Sequence, residues 1–84
     1  MNLFDQLQYV KQIKKELEDV GIPVTGVYEP SNAADGGIEI DGKFVVQYAP
    51  YHEPRILLDR VESPGNEIAS FETINGLIKY LMET

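Results

Sequence analysis

The chain has 84 residues, no cysteine and one histidine, and its 14 acids against 7 bases give a formal net charge of −7. The absence of Cys excludes disulfides and thiolate chemistry, so an intracellular domain held by packing alone is expected. A hydrophobic share of 43 % beside 25 % charged residues excludes a disordered chain, and residues 1–84 read as one small globular domain.

Leu3, Leu7, Val10, Ile13, Leu17 and Val20 recur at spacings of three and four, the apolar face of a helix. The helix is predicted over 3–20, with Asn2 as its N-cap and Asp5 in the first turn. Gly21 and then Pro23 stop it. Lys14 to Glu18 and Lys15 to Asp19 are opposite charges at i, i+4, a solvated face contributing a few tenths of a kcal/mol per pair.

Residues 22–28 are β-branched and short, and Pro23 fits only a strand beginning or an edge. The polar connection 29–37 leads into two apolar-rich runs flanking Asp41-Gly42, the strongest short-range hairpin signal in the chain. A two-residue turn would set Ile40 opposite Lys43 and Glu39 opposite Phe44, mixing apolar and charged groups on both faces. The register expected instead has Ile40, Asp41 and Gly42 in a three-residue loop, with Ile38 facing Phe44 and Glu39 facing Lys43. Pro50 and Pro54 forbid regular pairing after Tyr48, so the chain turns there. A further strand is expected over 55–61, ended by Ser63-Pro64-Gly65-Asn66, and strand signals over 67–69 are weak.

Phe71, Ile74, Leu77, Ile78, Leu81 and Met82 form a second helical stripe, predicted over 71–83 with Ser70 at its N-cap and Glu72 in its first turn. Gly76 inside it suggests close approach to another backbone. The expected fold is α+β: an N-terminal helix, a three- to four-stranded antiparallel sheet and a C-terminal helix, both helices on one face. Leu17, Phe44, Leu58 and Ile78 are expected in the core.

Catalytic inventory is thin. Ser31, Ser63 and Ser70 stand where turns or caps want them, and His52 beside Glu53 lacks the companions a metal site needs. Glu39 with Asp41, and Glu62 with Glu67, match general acid–base pairs only in composition. Gly36-Gly37 lacks the ending of a phosphate loop and reads as a bulge or tight turn. No enzyme activity, metal or cofactor is expected.

Charge is unevenly spread. Residues 1–20 hold Lys11, Lys14 and Lys15 against four acids, and the remaining −6 lies downstream, where Lys43, Arg55, Arg60 and Lys79 face ten acids. Such a balance repels nucleic acid. One reading is solubility; the sharper one is a partner with a basic surface. Tyr48, Tyr51, His52 and Glu53 cluster around Pro50 and Pro54, and two readings stand there too: rings packed on the core edge and their own loop, or rings serving as interface anchors. No apolar run approaches the ~20 residues that span a bilayer, and residues 1–6 lack the features of a signal peptide, so a cytoplasmic protein without membrane contact is expected. The helix–strands–helix order is also that of double-stranded-RNA-binding domains, but a second helix with Lys79 between Glu72 and Glu83 disfavours that activity.

In size, charge and layout, with the hairpin Glu39-Ile40-Asp41-Gly42-Lys43 and the loop Tyr51-His52-Glu53, the chain resembles the small acidic inhibitors of host defence encoded by phages and prophages, anti-CRISPR proteins among them. The resemblance implies a protein that blocks a nucleic-acid-binding machine by presenting carboxylates where phosphates would sit. The candidate contact residues are Glu39, Asp41, Glu53, Asp59 and Glu62 as charges with Tyr51 as anchor, in a monomer or homodimer. The alternative is a structural or regulatory subunit that dimerises through its sheet edge.

Overall fold

A computed structural model describes residues 2–83. Helix α1 spans Leu3–Asp19 and begins as its cap residue dictates: the Asn2 side chain accepts the Asp5 backbone N–H at 2.8 Å. Its C-terminus closes on Gly21, whose φ of +84° is the left-handed conformation that glycine adopts most readily. Gly21 N–H donates to the Glu18 carbonyl and Ile22 N–H to the Leu17 carbonyl, each at 3.0 Å, which satisfies two of the orphan acceptors of the last turn.

Five strands follow: β1 Val24–Tyr28, β2 Gly36–Ile40, β3 Phe44–Tyr48, β4 Ile56–Arg60 and β5 Glu67–Phe71. They form one antiparallel meander in chain order, closed by α2, Ile74–Glu83. The expected α+β architecture is present with one more strand than the three to four anticipated. The addition is β5, which runs to Phe71, so α2 starts three residues later than expected. Its first turn is capped by Thr73, whose Oγ1 accepts the Gly76 N–H at 3.1 Å, and Ser70 belongs to the strand.

The hairpin also departs from expectation. Ile40 pairs with Phe44 and Ile38 with Val46, leaving Asp41, Gly42 and Lys43 outside the ladder. Asp41 and Gly42 both take positive φ, +51° and +64°, and the Lys43 N–H donates to the Ile40 carbonyl at 2.9 Å. A tight primed-type turn needs two such residues, and Asp tolerates the left-handed region better than most side chains. The slip from the expected register is two residues, so every side chain keeps its face. Gly36-Gly37 forms no bulge in this ladder; the register shifts lie at Thr25 in β1 and at Ile68 in β5. A Cβ on Gly37 would overlap the Val46 carbonyl oxygen. Gly36, whose Cβ would meet the Tyr28 carbonyl oxygen at 3.1 Å, and Gly37 are therefore the glycines that admit another backbone, and Gly76 meets only side chains at ordinary contact distance.

One face of the sheet carries Ile38, Ile40, Val46, Tyr48, Ile56 and Leu58, which join Val10, Ile13 and Leu17 of α1 and Ile74 and Leu77 of α2 in a single core. Both helices thus cover the same face. Burying each large aliphatic side chain contributes roughly 1.5–3 kcal/mol of transfer free energy. Leu17 and Leu58 lie in this core as expected, whereas Phe44 and Ile78 are only partly buried at its margin, Phe44 under the Arg60 guanidinium at 5.6 Å. Tyr48, which could be read as a core-edge ring or as an interface anchor, is 1 % exposed and stacks on Tyr9 with ring centroids 4.2 Å apart. Burial pushes the Tyr9 hydroxyl above the usual tyrosine range, and the neighbouring Tyr48 and Glu16 push it the same way.

Candidate functional site

Among the described residues no helix covers the second face of the sheet. Strand register organises that face into two cross-strand rows. One runs Gly26, Glu39, Val45, Asp59, Glu67; the other runs Tyr28, Gly37, Gln47, Leu57, Ser70. The charged residues of these rows are Glu39, Asp59 and Glu67, all acids, with no Lys or Arg among the described strand positions that point this way. Neighbouring strands are ~4.8 Å apart, so Glu39 and Asp59 stand about 10 Å from each other across β3, with Glu67 directly beside Asp59. Of these, Asp59 and Glu67 are directly opposed, an arrangement of like charges that destabilises a sheet.

Each carboxylate is held differently. Glu39 is half-buried, and its Oε2 accepts the Thr25 hydroxyl at 2.8 Å; the same hydroxyl oxygen accepts the Gly42 N–H at 3.0 Å. Asp59 is only 7 % exposed, and its Oδ2 accepts the Gly65 N–H at 3.0 Å, tying the β4–β5 loop over the sheet. Asp59 therefore has a structural duty that its place among the expected contact charges did not anticipate. Glu67 is exposed.

The six residues singled out from the sequence are not one cluster. Glu39 and Asp59 share a row, and Asp41 and Glu62 lie in the loops at the end of the sheet where that row sits, Asp41 paired with the Lys43 ammonium at 3.6 Å. Tyr51 and Glu53 lie in the β3–β4 loop at the opposite end, separated from Asp41 by the five residues of β3, about 17 Å of strand. Tyr51 is 79 % exposed, as an anchor would be, but it borders a different depression. That cleft, of about 880 Å³, lies where the 29–35 connection meets the start of α1, and it is lined by Asn2, Gln6, Asn32, Asp35 and Gln47 among others.

Three residues of the open face were not anticipated: Glu67, Tyr28 and Asp35. Tyr28 is 46 % exposed on edge strand β1, beside Gly37 in the second row. Asp35 precedes β2, and its Oδ2 accepts the Gln47 side-chain N–H at 3.1 Å, which draws it onto the same face. Alternation within residues 24–28 could have placed Tyr28 with Gly26; Glu67 had no comparable local signal, because the bulge at Ile68 shifts the phase of β5. Among the described residues no group of three or more His, Asp or Glu is arranged to hold a metal ion. Comparison of the chain with protein-family models, with curated proteins and with solved structures finds no match, so any functional reading stands on this geometry.

Proposed function

We propose that this protein is an acidic binding protein whose open sheet face docks on the basic surface of a nucleic-acid-handling protein, acting as an inhibitor of the anti-CRISPR kind that a phage or prophage would deploy against host defence. The observation that carries the reading is the row Glu39, Asp59, Glu67 on a sheet face with no Lys or Arg among its described strand positions. Glu39 and Glu67 present their carboxylates to compete with phosphates for Lys and Arg, Asp59 adds its charge from beneath the β4–β5 loop, and long-range attraction speeds encounter. Glu62 extends the negative field at the same end, where Asp41 is paired with Lys43, while Tyr51 and Glu53 belong to a separate surface and are peripheral to this one. The alternative of dimerisation through a sheet edge has less support, since β1 and β5 both carry bulges, a device that blunts edge pairing.

Affinity capture from the native host, run with the wild-type chain and with Glu39→Lys/Glu67→Lys, tests the proposal. The expected result is a nucleic-acid-binding protein retained by the wild type, released steeply by salt, displaced by duplex DNA or RNA, and not retained by the folded double variant. Equal retention by both chains across a salt series would remove the acidic face from the account.

A further inference from the structure

We infer that the open face is built to take an arginine side chain of its partner, with the guanidinium lying in the trough over Gly37, between the Tyr28 ring and the carboxylates of Asp35 and Asp59. The inference rests on the acidic-interface reading and names the group that reading leaves open. The trough has a volume of about 200 Å³, and Tyr28, Asp35, Gly37, Val45, Asp59 and Pro64 are among the residues bounding it. None of its described lining residues is a cation.

Its shape follows from the sequence. Gly37 brings no side chain to the row between Tyr28 and Gln47, and the Gly65 N–H bond to Asp59 at 3.0 Å pulls Pro64 and Gly65 over β4 as the far wall. The floor is apolar at Val45, one wall is an exposed aromatic ring, and both acids are fixed by hydrogen bonds, Asp35 by Gln47 and Asp59 by Gly65.

That combination discriminates between the two basic side chains. A guanidinium is planar and weakly hydrated, stacks on an aromatic face and offers forked N–H donors to carboxylates. Its alkyl stem can lie on Val45 and Pro64. A lysine ammonium is a compact, strongly hydrated point charge that gains the attraction of the acids but little from a flat trough beside a ring. Carboxylates alone already favour the forked guanidinium; the Tyr28 ring and the flat trough should enlarge that preference.

The test is a titration of the full chain with hexa-arginine and, separately, with hexa-lysine, equal in charge, followed by backbone amide NMR. The expected result is a preference for hexa-arginine of about fivefold or more, with the largest shifts at Gly37, Val45 and Gly65. Tyr28→Ala should cut the preference by weakening hexa-arginine more than hexa-lysine, and Tyr28→Phe, which keeps the ring, should retain it in full. Equal, salt-sensitive binding of both peptides to the wild type would overturn the arginine site and leave the acidic interface standing. A hexa-arginine preference whose shifts map away from Gly37 and Gly65 would also overturn it. Failure of both peptides to bind at low salt would overturn both readings.

Discussion

Gly26 and Gly37 sit on the same uncovered face of the sheet, yet they are glycines for different reasons. At Gly26 a Cβ would meet the Glu39 Cβ at 3.5 Å, an ordinary contact, whereas at Gly37 it would run into the Val46 carbonyl of the neighbouring strand. A backbone oxygen inside a ladder cannot swing aside as a side chain does. Gly37→Ala should therefore destabilise the protein by ~1–3 kcal/mol, the range for overpacking a tight site. Gly26→Ala should stay within about 1 kcal/mol of the wild type, with restriction of the unfolded chain offsetting any small contact strain. Thermal melts followed by circular dichroism measure both, and equal melting temperatures for the two variants would refute the close approach. The same residue-scale logic separates the acids. Asp59 bonds the Gly65 N–H from a buried position, while Glu67 stands exposed beside it, so two carboxylates of one row are not interchangeable as targets for charge reversal.

At the scale of elements, what the sequence discloses depends on how local the determinant is. Both ends of α1 were legible because Asn2 and Gly21 act within a few residues of themselves. The start of α2 was not, because Phe71 continues the apolar spacing of Ile74, Leu77 and Ile78 while belonging to β5. From the strand it packs against Tyr80 with ring centroids 5.4 Å apart, so the spacing reflects a tertiary contact and not one helix face. Strand β5 itself was faint because the extra residue Ile68 breaks its alternation. The hairpin register was ambiguous for a related reason: slips by two residues keep each side chain on its face, and the deciding feature is the positive φ of Asp41. The candidate site shows the same limit. Its excess of acids could be counted from composition, but Glu39, Asp59 and Glu67 come into one row only through the pairings Glu39–Val45, Val45–Asp59 and Asp59–Glu67, which are 6, 14 and 8 residues apart along the chain. The revised start of α2 makes its own prediction. Thr73→Ala removes the acceptor of the Gly76 N–H and should cost about 1 kcal/mol, as loss of an N-cap typically does. Ser70→Ala, on the exposed side of a strand, should leave the melting temperature nearly unchanged, and the reverse order would restore the earlier helix start.

Across the whole molecule, the distribution of charge sets how stability and binding respond to salt. Of the seven cations, Lys14 and Lys15 pair with Glu18 and Asp19 on α1, Lys43 pairs with Asp41, and Arg60 lies over Phe44 on the helix side, while Lys11 and Lys79 belong to the helices and Arg55 to the loop before β4. The domain measures 33 × 26 × 22 Å along its principal axes. At about 0.01 M salt the screening length of ~30 Å spans the molecule, so every acid feels the others; at about 0.15 M it falls to ~8 Å, and only near neighbours repel. Net charge of one sign destabilises a compact state through self-repulsion, and the ion pairs that salt would weaken are exposed pairs contributing roughly 0–1 kcal/mol each at most. Relief of repulsion should win. Raising salt over that range is expected to increase the melting temperature by several degrees, the shift that about 1 kcal/mol produces in a domain of this size. Affinity for the basic partner should fall over the same range, because screening weakens the attraction that drives docking. Opposite signs for the two responses are the signature of an acidic interface. An apolar sheet-edge dimer would instead show a melting temperature that rises with protein concentration. A melting temperature that fell as salt was added would mean that the surface ion pairs outweigh the repulsion, and the field assigned to the open face would then be too weak to steer a partner.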